Sequence, residues 1–248
     1  MLEKNIFWIL AFLLCARSGF ATTGVALYEK AFVVVAADGR VNEISPIQAL
    51  HTNECKIDVV NGRAAVMAGL TDERDVGFDA RRMLREAMQE ARSVDLAAEI
   101  AVTQIRRRLP EALADFEKHN PAAFQARSGA ALQFLIVGLS AAGEVEVARR
   151  SVPYDESRSV QIEDATGSRN HVGIAVIGES RAIDLDLERL HKTAGWAGMG
   201  NATDMEKMAR RFVALEIVDQ PRRVGPPVSI MLVDGQGIHW LENGACHE

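Results

Sequence analysis

Thr22-Thr23-Gly24-Val25-Ala26-Leu27-Tyr28, a turn at Glu29-Lys30, and then Phe32-Val33-Val34-Val35-Ala36-Ala37-Asp38-Gly39-Arg40 decide how this chain is read. The β-branched run Phe32 to Ala37 suits a strand buried on both faces, and Asp38-Gly39 is a turn dipeptide that ends it. Val25 to Tyr28 reads as the strand before it. A second pair, Lys56 to Val60 and Ala64 to Met67, is joined by Asn61-Gly62, the strongest short hairpin signal. Four strands in this order predict one antiparallel layer.

What precedes Thr22 has a different character. Lys4 supplies a positive n-region, Ile6 to Cys15 is an unbroken apolar run of ten, and Gly19-Phe20-Ala21 puts small residues at the −3 and −1 positions of a cut. That is the pattern of a secretory signal peptide. The run falls short of the roughly 20 apolar residues that span a bilayer, so no stable membrane association is expected after cleavage. Phe12 and Leu14 do not fit a lipobox around Cys15. Two alternatives stay open: a leader removed by the protein itself, or a buried N-terminal strand. Cleavage after Ala21 divides the chain into a leader, 1–21, and one domain, 22–248. It leaves 26 basic against 33 acidic residues, a net charge of −7, with Thr22 first.

The whole chain has 248 residues, 48% of them hydrophobic and 25% charged, with a formal net charge of −6. These values describe a folded globular protein with enough core to need no staples. Net acidity argues against a nucleic-acid partner. Cys15, Cys55 and Cys246 are the three cysteines and form no CxxC, which excludes a disulfide framework and a zinc ribbon. With the leader gone, only Cys55 and Cys246 could pair, in an oxidising compartment.

Beyond the strands the period changes. Val76, Ala80, Met83, Leu84, Ala87, Met88 and Ala91 form one helical stripe, and Leu96, Ile100, Ile105 and Leu109 a second helix, stopped by Pro110. Arg106-Arg107-Arg108 then reads as a solvated helix end favoured by the dipole. Strands return at Gln133 to Leu139 and Glu144 to Ser151, with further candidates at Ser159 to Glu163 and Val172 to Ile177. Helices follow over Ile183 to His191 and Asp204 to Val218. Val228 to Val233 and Ile238 to Leu241 close the chain. Strands, two helices, strands, two helices, strands: this segregated order predicts an α+β protein with two sheets covered by two helical layers.

Among chemistry-bearing patterns there is no GxSxG, HExxH or P-loop, and no His pair at i, i+4 spacing. The new N-terminus remains. A Thr hydroxyl needs a base, and the α-amine of the same residue can be that base. Its reference pKa is about 7.7–8.0, and a neighbouring ammonium would lower it toward working pH. Asp38 and Lys56 are candidates for a tuning pair. Taken singly they have plainer readings: Asp38 is turn chemistry, Lys56 an edge charge, Met67 core and Gly69 a loop residue.

Together, Thr22-Thr23-Gly24-Val25-Ala26, Phe32 to Ala37, Asp38-Gly39-Arg40, Cys55-Lys56-Ile57 and Ala68-Gly69-Leu70-Thr71-Asp72 closely resemble the proteasome β-subunit type of N-terminal-nucleophile (Ntn) hydrolases, with the double-ring homologues of proteobacteria the most similar branch. The resemblance covers residues 22–241. It implies a four-layer αββα sandwich and a threonine-type endopeptidase without cofactor or metal. It implies Thr22 as nucleophile and base, Asp38 and Lys56 as its tuning pair, and the Gly69 N–H as oxyanion donor. Arg40 and, near the Thr amine, Ser180 and Asp219 would support them, and Met67 would line the specificity pocket. Asp38 follows Thr22 by the family's 16 residues, whereas Lys56 lies one residue late, which an insertion between Asn42 and Glu54 explains.

The chain departs from the family at three points. Ala21 stands where self-processing members carry Gly; Gly178-Glu179-Ser180 replaces a glycine-serine-glycine stretch; and Pro221-Arg222-Arg223-Val224-Gly225 replaces an Asp-x-x-Ser-Gly element, with Asp219 two positions early. The expected partners are peptide or unfolded polypeptide substrates and identical subunits in a double ring. The expected location is periplasmic or secreted, or cytoplasmic if the leader is self-cleaved. A catalytically inactive ring subunit and a small-amide hydrolase are the alternative functions.

Overall fold

The computed structural model describes residues 22–43, 50–125, 130–154, 172–192 and 200–246. The expected leader 1–21, with the expected cut after Ala21, and the candidate strand Ser159 to Glu163 lie outside the described residues, as does most of the loop between Asn42 and Glu54. The protein is α+β, with the order of strand and helix blocks that the periodicity implies.

Strands β1 (Thr23–Tyr28), β2 (Phe32–Asp38), β11 (Gly173–Gly178), β12 (Val228–Asp234) and β13 (Gly237–Glu242) form one antiparallel sheet, ordered β11-β1-β2-β12-β13. The second sheet holds β5 (Ile57–Val60), β6 (Arg63–Gly69), β9 (Ala130–Leu139) and β10 (Val145–Pro153), ordered β10-β9-β6-β5. Short pairs β3 (Arg40–Glu43) with β4 (Leu50–Asn53), and β7 (Asp72–Glu73) with β8 (Phe78–Asp79), complete the strands. The expectation of one layer for the first four strands is therefore corrected: β1 and β2 pair in one sheet, β5 and β6 in another. Period-2 patterning marks which faces of a strand are buried and is silent about its partner.

Each sheet is buried on both faces, and β2 carries the clearest signature. Val33, Val35 and Ala37 enter a core shared with Ala64, Val66, Leu135 and Val137 of the second sheet. Val34 and Ala36 enter a core on the opposite face with Met205, Ala209 and Phe212. A strand with two apolar environments has no polar alternate position, which is why the run is continuous. The third core places Ala65, Met67, Phe134 and Ile136 against Leu84, Met88, Ala98 and Ile105.

Those last residues belong to α1 (Ala80–Glu90) and α2 (Val94–His119); a short α3 (Pro121–Gln125) follows, and α4 (Arg181–Lys192) and α5 (Ala202–Asp219) come later. Asp79 caps α1, accepting from Arg82 N–H at 2.8 Å, and Ser93 caps α2, accepting from Leu96 N–H at 3.2 Å.

Two expectations for this region are corrected. Pro110 lies inside α2, which continues to His119. A proline costs a helix interior about 3 kcal/mol, but Ala112, Leu113 and Phe116 beyond it are buried in the core and hold the helix together. Arg106-Arg107-Arg108 is accordingly mid-helix, and Arg108 donates to the Val76 carbonyl at 2.9 Å. The stripe beginning at Val76 also starts too early: Arg74–Val76 is a 3-10 turn closed by Gly77 in the left-handed region, and α1 begins after it.

Asn61 and Gly62 both have positive φ, 50° and 72°, as the two-residue hairpin turn requires. Cys55, just before β5, and Cys246, beyond β13, form a disulfide. It joins the edge of one sheet to the edge of the other, across a sequence separation of 191 residues. A cross-link closing so long a loop restricts the unfolded chain strongly. Cys55→Ser with Cys246→Ser is expected to cost about 2–5 kcal/mol, a fall in Tm of about 4–20 °C for a chain of this size. Dithiothreitol should lower the Tm of the parent alike and leave the double variant unmoved in a calorimetric scan. No described helix is long and apolar enough to cross a membrane.

Candidate active site

Thr22 immediately precedes β1, at 8% exposure. The register of β1 on β2 pairs Gly24 with Ala37, so the end of β2 brings Asp38 beside the start of β1. There the Asp38 carboxylate accepts the Thr23 N–H at 2.9 Å. It also accepts from Arg40 N–H at 3.2 Å and Gly225 N–H at 3.3 Å.

Lys56 reaches this corner from the other sheet, at the start of β5. Its Nζ donates to Thr22 Oγ1 at 2.9 Å and lies 3.2 Å from both Asp38 oxygens. Asp38 is 1% and Lys56 9% exposed. Burial is the largest influence on both groups: it raises the Asp38 carboxyl against the Lys56 charge and the N–H donors, and lowers the Lys56 ammonium against the Asp38 charge. Three backbone N–H donors and one ammonium aimed at a single carboxylate favour the ion pair.

Loop 178–180 closes the site from the end of β11. Glu179 N–H donates to the Thr22 carbonyl at 3.0 Å, and the Thr23 hydroxyl donates to the Glu179 carbonyl at 3.0 Å. Gly178 has φ +78°, and a Cβ there would lie 1.6 Å from the Thr22 carbonyl oxygen. Only glycine lets the two backbones approach so closely. Gln133 of β9 accepts the Gly178 N–H at 2.7 Å. The Ala68 side chain also abuts Gly178, so the end of β6 adjoins the Thr22 corner. Gly69, next in line, has φ +108°, with the Ala131 carbonyl 2.3 Å from where its Cβ would be.

Lys56 thus touches both Thr22 and Asp38 and bridges the two. Arg40 supports them through its backbone N–H, and its guanidinium donates to the Pro221 carbonyl. Met67 is 4% exposed in the helix-side core, whereas its neighbours Val66 and Ala68 face the other sheet.

The hydrogen bonds of the Ser180 and Asp219 side chains go to neighbours in the chain, not to Thr22. Ser180 Oγ donates to Asp184 at 3.0 Å in the first turn of α4. Asp219 ends α5 and accepts from Gln220 at 3.0 Å. Glu179, whose backbone holds Thr22 and Thr23, pairs through its side chain with Arg223; sequence reasoning missed both. They occupy the two stretches noted as departures, and their opposite charges were the available signal.

Among the described residues, Asp75, Asp115 and His119 are grouped closely enough to hold a metal, and none of them belongs to the Thr22 corner.

Chemically, the corner holds a hydroxyl oxygen against a buried ammonium whose charge is balanced by a carboxylate. In the uncut chain the Thr22 nitrogen is an amide joined to Ala21 and cannot act as a base. No protein-family model and no curated protein matches the chain.

Proposed function

We propose that this chain is the precursor of a threonine-type Ntn hydrolase of the proteasome β-subunit kind, acting on peptide bonds. The observation that carries the reading is Lys56 Nζ, buried and within hydrogen-bond distance of both Thr22 Oγ and Asp38. The three cores described above support a four-layer αββα arrangement, helices outside and sheets inside.

Cleavage after Ala21 turns the Thr22 amide into a free amine. That amine removes the Oγ proton, directly or through one water, while Lys56 stabilises the charge developing on Oγ. Oγ attacks the scissile carbonyl, whose oxygen is met by the Gly69 N–H acting as oxyanion donor. The protonated amine gives its proton to the departing nitrogen, leaving an ester on Oγ. A water, deprotonated by the same amine, then releases the acid. No metal or cofactor enters these steps.

The disulfide and the leader together support a periplasmic or secreted location; a self-cleaved leader and a cytoplasmic location are the other possibility. Identical subunits in a double ring, enclosing access to unfolded chains, are the assembly that goes with this reading, and native mass spectrometry reads it directly.

A peptide vinyl sulfone or epoxyketone is expected to modify Thr22 in the chain that begins there, with the adduct mapped by peptide mass. The uncut chain should stay unmodified, and a Thr22→Ala chain that labelled fully would refute the assignment. A second reading, a ring subunit kept for its structure, is favoured by the Ser180 and Asp219 side chains bonding to Asp184 and Gln220 rather than to Thr22. Turnover of a peptide-coumarin panel excludes it.

A further inference from the structure

Two separate loops hold the two halves of the Thr22 corner, and one ion pair joins them. Glu179 grips the nucleophile strand through its backbone, taking the Thr22 carbonyl with its N–H and the Thr23 hydroxyl with its C=O, both at 3.0 Å. Arg223 lies in the turn after α5. Two residues on, Gly225 donates its N–H to Asp38 at 3.3 Å and accepts the Gly39 N–H at 3.2 Å. Between them, Val224 is fully buried, so this turn is seated in the protein. The Glu179 and Arg223 side chains meet as an ion pair, 23% and 26% exposed.

We propose that Glu179 and Arg223 are a positioning pair: their ion pair clasps the loop that holds Thr22 to the loop that holds Asp38. It thereby sets the distance from Thr22 Oγ to the Lys56 ammonium. The contact at Gly178 makes this corner sensitive to such a clasp. With no side chain between loop and nucleophile, any shift of loop 178–180 is passed to the Thr22 carbonyl undamped. A pair about three-quarters buried is less screened than a fully exposed one.

This inference rests on Thr22 being the nucleophile, and its test keeps the two apart. The chain beginning at Thr22, Glu179→Gln, Arg223→Gln and the double variant are compared in steady-state hydrolysis of one peptide-coumarin substrate, with Tm recorded for each. Each single variant is expected to lower kcat about 10–100-fold, the scale of a sub-ångström to 1 Å misplacement, with KM within about twofold. The double variant should cost no more than the worse single one, because the second change removes nothing further.

Losses that multiply in the double variant, or that fall on KM alone, overturn the clasp while leaving Thr22 in place. So does unchanged kcat. Should a Gln variant fail to fold, Glu179→Asp and Arg223→Lys carry the same comparison, with smaller losses and the same non-additivity expected. If the parent neither turns over substrate nor is acylated at Thr22, the nucleophile reading and the clasp fall together.

Discussion

Thr22→Ala, in the chain that begins at residue 22, is expected to lower peptide-coumarin hydrolysis by about 10⁴–10⁶-fold, the scale seen when a nucleophile that works with its own base is removed. The change takes away only Oγ and its methyl. The α-amine, the Asp38–Lys56 pair and loop 178–180 all remain, so the loss reports the attacking atom. Folding should be barely touched, because Lys56 keeps both Asp38 oxygens at 3.2 Å, and a Tm close to the parent's checks this. Thr22→Ser keeps an attacking oxygen and should still form the acyl-enzyme. The uncut chain has the oxygen without the amine and should be as inactive as Thr22→Ala. Full turnover by Thr22→Ala would remove Thr22 from the mechanism.

Lys56→Met should damage stability and catalysis together. It leaves the Asp38 carboxylate, 1% exposed, without its counter-ion, and breaking a buried pair from one side costs about 3–5 kcal/mol, a Tm lower by about 6–20 °C. Loss of the ammonium at Thr22 Oγ should lower the rate by a further factor of about 10²–10³.

The pH profile separates the two roles of this lysine. The proposed mechanism needs the amine neutral, so activity is expected to rise as pH passes the amine's pKa. A positive Lys56 close by disfavours a second positive charge and brings that limb below the usual α-amine range. The proposed mechanism also needs Lys56 protonated, so activity is expected to fall as pH rises through its pKa, which burial has lowered. The alkaline limb is therefore expected below the ordinary lysine value of about 10.4. Lys56→Arg, whose cation does not titrate in this range, should lose the alkaline limb. An alkaline limb that stays in place in Lys56→Arg would assign it to another group.

Legibility in the sequence followed the range of the interaction. The Asn61-Gly62 turn and the apolar stripe of α1 depend on residues within a few positions, and were read from the chain with small errors at their ends. Pro110 was misread because the local rule for proline is outweighed by burial of Ala112, Leu113 and Phe116 against a sheet distant in sequence. The four leading strands were assigned to one layer because alternation reports burial without naming what buries. Ser180 and Asp219 were chosen by matching position. Their actual partners, Asp184 and Gln220, sit within four residues, a local pairing that matching of position does not foresee.

The candidate trio Thr22, Asp38 and Lys56 rests on the family resemblance; the sequence by itself determined the α+β order of elements, the doubly buried second strand, and Cys55 and Cys246 as the cysteines able to pair if the leader is removed. Spacing and residue type suffice for these, since strand patterning and chain adjacency act over short range. Only the tertiary structure decided that Lys56 arrives from a different sheet than Thr22 and Asp38. Tertiary contacts likewise decided that the disulfide ties the edges of those two sheets, and that the Glu179 backbone holds Thr22 while its side chain pairs with Arg223. Those outcomes depend on which sheet faces meet and which loops close over them, and packing between segments far apart in the chain settles both.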